Sequence, residues 1–150
     1  MKLTVNGVER GVESPLLTSL LQVLREELGI TSPKAGCQQG GCGTCTVLVD
    51  GEPRRSCLTA VATVDGAAIT TLEGLGEAES LSPVQEAFHQ QYGSQCGFCT
   101  PGFLIATHAL LERNPSPSRE DIELAFSGHI CRCTGYVKIV AAVEAAGRAA

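Results

Sequence analysis

Eight cysteines in 150 residues constrain this chain more than any other feature. They form two groups of four along the sequence: Cys37, Cys42, Cys45 and Cys57, then Cys96, Cys99, Cys131 and Cys133. A chain of this length with 43% hydrophobic residues can bury a core without disulfide support. It begins without the basic and then apolar layout of a signal peptide, so we expect a cytoplasmic protein with reduced thiols. Reduced cysteines in this number indicate metal or redox chemistry.

The first group has the spacing C-x4-C-x2-C, and Cys57 follows after eleven intervening residues. This is the plant-type ferredoxin spacing for a [2Fe-2S] cluster, and it predicts that these four cysteines are its ligands. Glycines of the loop, such as Gly40 and Gly43, let the backbone wrap a cluster and bring N–H groups close to sulfur. A zinc site is the alternative, but structural zinc favours two short pairs over three thiols in one glycine-rich arc.

The second group consists of two short pairs. Cys96 and Cys99 form C-x2-C, and Cys131 and Cys133 form C-x-C after 31 intervening residues. This spacing alone fits a second [2Fe-2S] cluster, and it fits an all-thiolate zinc site nearly as well. The cysteine run typical of a [4Fe-4S] cluster is absent from the sequence.

Charge and hydropathy exclude two classes of partner. The net charge of -5 and the absence of a basic stripe argue against binding a nucleic-acid backbone. A membrane span needs about 20 consecutive apolar residues, and no such run is present in the sequence.

The first half of the chain predicts one helix packed on a mixed sheet, which is an α+β arrangement. Asn6-Gly7 between alternating apolar residues predicts a two-residue hairpin, and Asp50-Gly51 predicts a second tight turn. Strands are predicted over 46–49 and 68–72. A helix that stops at Gly29 is predicted from five leucines at helical spacing: Leu17, Leu20, Leu21, Leu24 and Leu28.

The second half predicts helices, after a glycine-rich acidic connection over 73–80. The first helix begins after Ser82, for which Gln85 completes a capping box. Its predicted apolar face consists of Val84, Phe88 and Tyr92. Three further helices are predicted: one from Thr100-Pro101, one from Ser118 to near Gly128, and one over 136–147.

Three strings of the sequence resemble a known family. They are GCQQGGCGTCTV at 36–47, QCGFCTPG at 95–102 and CRCTGY at 131–136. In this order they resemble the iron-sulfur subunit of the molybdenum hydroxylases, the family of xanthine oxidase, aldehyde oxidoreductase and carbon monoxide dehydrogenase. Many members carry glycine where this chain has Gln38, a departure that removes no predicted ligand.

The resemblance implies an N-terminal ferredoxin-like β-grasp domain, here over 1–74, and a C-terminal four-helix domain, here over 80–150. It implies a [2Fe-2S] cluster in each, with the second cluster buried and close to a molybdopterin. Gln95 and Cys133 are then expected to face the pterin. Cys133 would serve both as an iron ligand and as the entry point for electrons.

The resemblance also implies partners and a function. A large subunit is expected to bind molybdopterin, in its cytosine dinucleotide form, and a medium subunit is expected to bind FAD. This chain would relay electrons from the molybdopterin centre to the flavin or another acceptor during substrate hydroxylation, with no substrate-converting site of its own. Two alternatives stay open: a free-standing two-cluster ferredoxin that shuttles electrons, and a zinc-stabilised interaction module.

Overall fold

A computed structural model describes residues 1–148, which form a five-stranded sheet and five helices. The strands are β1 (Lys2–Val5), β2 (Val8–Gly11), β3 (Thr46–Val49), β4 (Glu52–Arg55) and β5 (Ala68–Thr70). The helices are α1 (Leu20–Gln22), α2 (Pro83–Gln90), α3 (Thr100–Arg113), α4 (Arg119–Ala125) and α5 (Val137–Arg148). Helix α1 continues as a π-helical turn over Val23–Glu27. The predicted α+β arrangement is confirmed.

The sheet is mixed and has the strand order β2-β1-β5-β3-β4. Strands β1 and β5 are parallel, and the other neighbours are antiparallel. Pro53 lies in β4 at the edge of the sheet, where a residue without an N–H donor is tolerated.

Both predicted tight turns are confirmed. Asn6 and Gly7 have φ of 50° and 79°, and Asp50 and Gly51 have φ of 51° and 82°. Two consecutive positive φ angles are required by the type I′ turn, whose twist matches that of the strands it joins. The turn at Asp50-Gly51 directs the chain back along β3, and β4 thereby delivers Cys57 towards the first cysteine loop.

The predicted helical half is confirmed in outline, and both of its capping boxes are present. Ser82 and Gln85 cap α2, and Ser118 and Asp121 cap α4. In each box the serine hydroxyl accepts a backbone N–H while the third residue accepts the N–H of the serine, so two terminal donors are satisfied locally.

Three details of the sequence prediction are wrong at helix ends. Leu17 is 86% exposed and precedes α1, because Ser19 caps the helix at Leu20. Tyr92 is 72% exposed and has a φ of 55°, since α2 ends at Gln90 and the chain turns there. Gly128 does not end α4, which stops at Ala125 with Phe126 as its cap. The predicted strand over 68–72 is also shorter, because Leu72 begins a 3-10 turn.

Strand β3 connects the two halves of the protein because it is buried on both faces. Val47 and Val49 pack with Leu20 and Leu24 on one face of the sheet. Leu48 points to the other face, where it packs with Ile105 and other residues of α3. Alternation along a strand places neighbouring residues on opposite faces, so this apolar strand serves two cores. The cysteine-bearing loops of both halves are thereby held against each other.

Candidate functional site

The first four cysteines, here called the first quartet, come together around the loop that precedes β3. Cys37, Cys42 and Cys45 lie in this loop, and Cys57 lies in the 3-10 turn Ser56–Leu58 that follows β4. The loop turns sharply, and Gln38, Gly40 and Gly43 all have positive φ, at 53°, 80° and 75°. Gln38 therefore occupies a left-handed conformation that glycine adopts more readily. This explains structurally why glycine suits the position.

Backbone N–H groups of the loop point at sulfur. The amides of Gln39 and Cys42 each lie 3.4 Å from Cys37 Sγ, and the amide of Cys37 lies 3.4 Å from Cys42 Sγ. These donors stabilise a thiolate and lower the pKa of Cys37 to about 6, with the N–H of Gln39 as the main cause. Burial instead raises the pKa of Cys57 to about 11.

The other four cysteines, the second quartet, lie where helices begin and end. Cys96 and Cys99 precede α3, while Cys131 and Cys133 lie in the loop between α4 and α5. Cys131 is buried and Cys99 half-buried, but Cys96 and Cys133 are exposed. The fully buried second cluster that the resemblance implies is therefore not a property of this chain alone, and would need a partner surface.

Hydrogen bonds single out Cys131 within the second quartet. Its sulfur receives the Thr134 hydroxyl at 3.0 Å and the Thr134 amide at 3.4 Å. Burial acts to raise the pKa of Cys131, but the donors outweigh it and the pKa is lowered. Burial raises the pKa of Cys99 to about 12, and contact with the thiol of Cys131 adds to this effect.

The thiols of each quartet are close enough to shift one another's pKa. In the first quartet the pKa of Cys37 responds to the thiol of Cys42, and that of Cys57 to the thiols of Cys45 and Cys37. In the second quartet the pKa of Cys99 responds to Cys131 and Cys96, and that of Cys133 to Cys96 and Cys131. Four neighbouring thiolates, two for each iron, are the donor set of a [2Fe-2S] cluster, so both quartets fit this group.

A single metal ion would need a different arrangement, with three or more ligands around one point. No group of His, Cys, Asp or Glu side chains within residues 1–148 is placed to hold a metal ion in that way.

The two quartets lie on either side of one cavity, which has a volume of about 270 Å³. Its wall includes Cys37 and Cys42 of the first quartet, Cys96, Cys99 and Cys133 of the second, and the side chains of Phe98 and Ile130. Groups held by the two quartets would therefore be near neighbours.

Two glycines let the halves approach closely at this point. A Cβ on Gly102, in the first turn of α3, would overlap the Gly43 carbonyl oxygen and lie 3.2 Å from Thr44 Cα. A Cβ on Gly43 would lie 2.5 Å from the ring of His129 and 2.6 Å from the Gly128 carbonyl oxygen. Neither site has room for a side chain, because most of these neighbours are backbone atoms.

His129 and Arg55 close this junction, and neither residue was predicted from the sequence to lie there. The Thr46 hydroxyl donates to the Gly43 carbonyl at 2.6 Å, so it accepts from Arg55 at 2.8 Å and from His129 Nε2 at 3.1 Å. Arg55 also donates to the Gly128 carbonyl at 2.8 Å. Burial, with the nearby Arg55 charge, lowers the pKa of His129 to about 4, so the ring is neutral at pH 7. No sequence motif marks this pair.

Gln95 lies beside the exposed edge of the second quartet. It is exposed, and it directly precedes Cys96, whose thiol pairs with that of Cys133. The structure thus brings Gln95 and Cys133 to the same surface. What they face there remains a prediction.

Both halves of the chain match known iron-sulfur families. Residues 3–71 match the 2Fe-2S iron-sulfur cluster binding domain, and residues 71–144 match a second [2Fe-2S] binding domain. The small FeS subunit of nicotinate dehydrogenase from Eubacterium barkeri is 44% identical over 144 residues, covering 96% of this chain and 92% of that subunit. The chain belongs to the iron-sulfur subunits of the molybdenum hydroxylases. The resemblance read from the three sequence strings is confirmed.

A solved structure and a further sequence relative support the same assignment. Quinoline 2-oxidoreductase from Pseudomonas putida 86 superposes with a TM-score of 0.94 at 42% identity, covering 99% of this iron-sulfur subunit and 93% of the matched chain. The aldehyde oxidoreductase of Megalodesulfovibrio gigas is 48% identical over 144 residues, but this chain spans only 16% of its length. Within residues 1–148 of the iron-sulfur subunit, no helix is long and apolar enough to cross a bilayer.

Proposed function

We propose that this iron-sulfur subunit holds two [2Fe-2S] clusters, one in each quartet, and relays electrons within a molybdenum-dependent oxidoreductase. The observation that carries the proposal is the clustering of the cysteines around one cavity, with backbone N–H donors on Cys37 and Cys42 and the Thr134 hydroxyl on Cys131. Each bound cluster would supply one-electron redox chemistry. The division into a β-grasp domain over 1–74 and a four-helix domain over 80–150 forms part of the proposal. It is supported by one quartet lying in each half.

The chain's own contribution is to bind the clusters, orient them and set their potentials. N–H donors around Cys37 and Cys42 stabilise negative charge on the first quartet, and Thr134 does so on the second. Hydrogen bonds to ligand sulfur favour the reduced state of an iron-sulfur cluster, because that state carries one more negative charge.

The exposed edge of the second quartet is the side on which we expect the large molybdopterin-binding subunit. Cys96, Cys133 and Gln95 are exposed there, and the apolar side chain of Phe98, which lines the same cavity as Cys96 and Cys133, is 48% exposed. Apolar surface around an exposed redox centre is typical of a partner interface. Gln95 and Cys133 would then face the pterin, whose cytosine dinucleotide form is part of the proposal.

Electrons would leave by the first quartet for a flavin on a medium subunit or for another acceptor. All eight cysteines are free thiols, which supports a reducing compartment such as the cytoplasm. The substrate would be converted on the partner subunit, because we expect this chain to carry no substrate-converting site of its own.

Metal analysis of the purified chain tests the cluster assignment. We expect about four iron atoms and four acid-labile sulfides per chain, with a visible absorption spectrum, because each quartet would bind one two-iron cluster. Two zinc ions in a colourless solution would instead support the zinc-stabilised interaction module. A featureless spectrum after anaerobic reconstitution with ferrous iron and sulfide would overturn the proposal.

A free-standing electron shuttle is the second candidate, and the exposure of Cys96 and Cys133 favours it, since a shuttle needs an accessible cluster. Size-exclusion chromatography of natively expressed protein separates the two functions. We expect co-elution with larger subunits that carry molybdenum. A monomer that retains full electron-transfer activity would favour the shuttle.

Replacing Thr134 with valine is expected to lower the reduction potential of the second cluster. The Thr134 hydroxyl accepts the Tyr136 amide at 3.2 Å, so its hydrogen is free to point at Cys131 Sγ. One such hydrogen bond is worth about 1 kcal/mol, or roughly 40 mV for a one-electron couple. An EPR-monitored redox titration measures the shift. Thr134→Ser keeps the hydroxyl and should titrate like the wild type, whereas equal potentials in all three proteins would contradict the role of this bond.

A further inference from the structure

Arg55 is a partly buried cation whose hydrogen-bond partners are neutral oxygens. Its Nη1 donates to the Thr46 hydroxyl at 2.8 Å, and its Nη2 donates to the Gly128 carbonyl at 2.8 Å. Its Nε–H is buried and has no acceptor among residues 1–148. Within the same residues, no carboxylate forms an ion pair with this guanidinium. Burying a charge in this way is costly unless an opposite charge lies nearby.

Two neighbouring arginines are in a different situation. Arg113 lines the same cavity as Arg55, of about 310 Å³, but it forms an exposed ion pair with Glu52. Arg54 directly precedes Arg55 in β4 and is exposed to water, because alternation along a strand places it on the other face. Of these three arginines, only Arg55 combines partial burial with the lack of an opposite charge.

The packing around the guanidinium of Arg55 holds it in one place. Thr46, which accepts one of its hydrogen bonds, is only 2% exposed. A Cβ on Gly128 would overlap Arg55 Nη2, so the close contact on this side requires glycine. A planar guanidinium reaches two acceptors at once, whereas a lysine ammonium on its flexible stem is a single point charge. The positive charge of Arg55 is therefore fixed in position.

This charge lies closer along the chain to the first quartet than to the second. Thr46 directly follows Cys45, and Arg55 itself precedes Cys57 by two residues. The other acceptor of the guanidinium lies three residues before Cys131 of the second quartet. Two ligands of the first quartet thus flank the guanidinium, against one of the second, so we expect the charge to act mainly on the first quartet.

A [2Fe-2S] cluster with four thiolate ligands carries a charge of about -2 when oxidised and about -3 when reduced, since reduction adds one electron and no proton. A fixed positive charge nearby stabilises the reduced state more, because the attraction grows with the negative charge. We propose that Arg55 is the buried counter-charge of the two quartets and raises the reduction potentials of the groups they hold, that of the first quartet most. Arg55 binds no iron and acts through space. The proposal rests on the proposed function, because it requires a cluster in each quartet.

Three substitutions separate the charge of Arg55 from its hydrogen bonds. Arg55→Gln removes the charge and keeps a shorter amide donor, whereas Arg55→Lys keeps the charge and loses the planar fork. Arg54→Gln is the matched control, since it removes the same charge from the neighbouring exposed residue. The potentials of both clusters are measured by EPR-monitored redox titration at about 0.1 M and about 1 M salt.

At a fixed applied potential, we expect the ratio of reduced to oxidised first cluster to fall about tenfold in Arg55→Gln, or about 59 mV for a one-electron couple. The second cluster should shift in the same direction by a smaller factor. Both shifts should persist at high salt, because buried charges are screened much less than exposed ones. Arg55→Lys should stay close to the wild type, and Arg54→Gln should show only a small shift that high salt removes.

Two results would overturn this role of Arg55. One is an Arg55→Gln protein that loads both clusters and has the potentials of the wild type. The other is an Arg55→Lys protein whose potentials fall as far as those of Arg55→Gln, because the hydrogen bonds and not the charge would then set them.

Iron content is measured before each titration, so that loading and potential are kept apart. If Arg55→Gln does not load both clusters, Arg55→citrulline keeps the length and planar shape of arginine without its charge, and the same outcomes apply to it. Cys57 provides the ligation site for joining this chain from two segments. Failure of the proposed function gives a different result, since the wild-type chain would then lack one or both EPR signals.

Discussion

Replacing Cys133 with serine is expected to abolish one of the two [2Fe-2S] EPR signals and to halve the iron content, from about four atoms to about two. Iron in these clusters is held by soft thiolates, and a serine hydroxyl is a poor substitute. Cys133 is exposed, so the substitution removes a ligand without removing a buried contact. The other quartet lies in a separate loop and should keep its cluster. In the intact complex, reduction of this chain by substrate should be blocked.

Arg132→Gln is the matched control for this substitution. Arg132 is exposed and lies between Cys131 and Cys133 in the sequence, but it has no sulfur. The variant should retain both EPR signals and the full iron content, even if the loss of a positive charge shifts a potential. Two intact signals in Cys133→Ser, together with reduction by substrate, would show that Cys133 is not a ligand.

Gly102→Ala is expected to destabilise the protein by about 1–3 kcal/mol, the usual cost of forcing an extra group into a packed site. Alanine in a helix is normally more stable than glycine by roughly 0.5–1 kcal/mol, so the expected change has the opposite sign to helix propensity. The added Cβ would overlap the carbonyl oxygen of Gly43, which is backbone and cannot rotate away. Anaerobic denaturant unfolding of the cluster-loaded chain measures the difference.

Gly11→Ala provides the comparison, because a Cβ on Gly11 would meet no heavy atom within 4 Å and its φ is not positive. Its free energy of unfolding should stay within about 0.5 kcal/mol of the wild type. If Gly102→Ala proved as stable as Gly11→Ala, the close approach of α3 to the first loop would be wrong. A Gly102→Ala protein that unfolds early but retains both clusters would confirm that this contact is needed for stability and not for ligation.

Features encoded within a few residues were predictable from the sequence. Asn6-Gly7 and Asp50-Gly51 predicted turns because these residues adopt positive φ easily. Ser82 and Ser118 predicted helix starts because each serine hydroxyl accepts the backbone N–H of the residue three positions later. The errors occurred at helix ends, where the helical spacing of apolar residues continues but the chain changes direction. Leu17 continues the helical spacing of apolar residues, but the cap at Ser19 excludes it from α1.

Features that join distant parts of the chain were not predictable in this way. His129 was one histidine among three, with nothing in its neighbourhood to suggest that Thr46 and Arg55 would meet its ring. Gly102 read as an ordinary residue near a helix start. A side chain cannot fit at this position only because Gly43, far away in the sequence, packs against it.

The amino-acid sequence by itself determined which eight thiols are available, how they divide into two quartets, and which family the chain resembles, because ligand spacing and turn chemistry are short-range properties. Tertiary structure alone decided that the cysteines of both quartets would surround one cavity, and that the amide before Cys131 would meet the carbonyl of Cys42. Such contacts depend on burying β3 against α1 and α3 at once, and this packing is a property of the whole folded chain and not of any one segment.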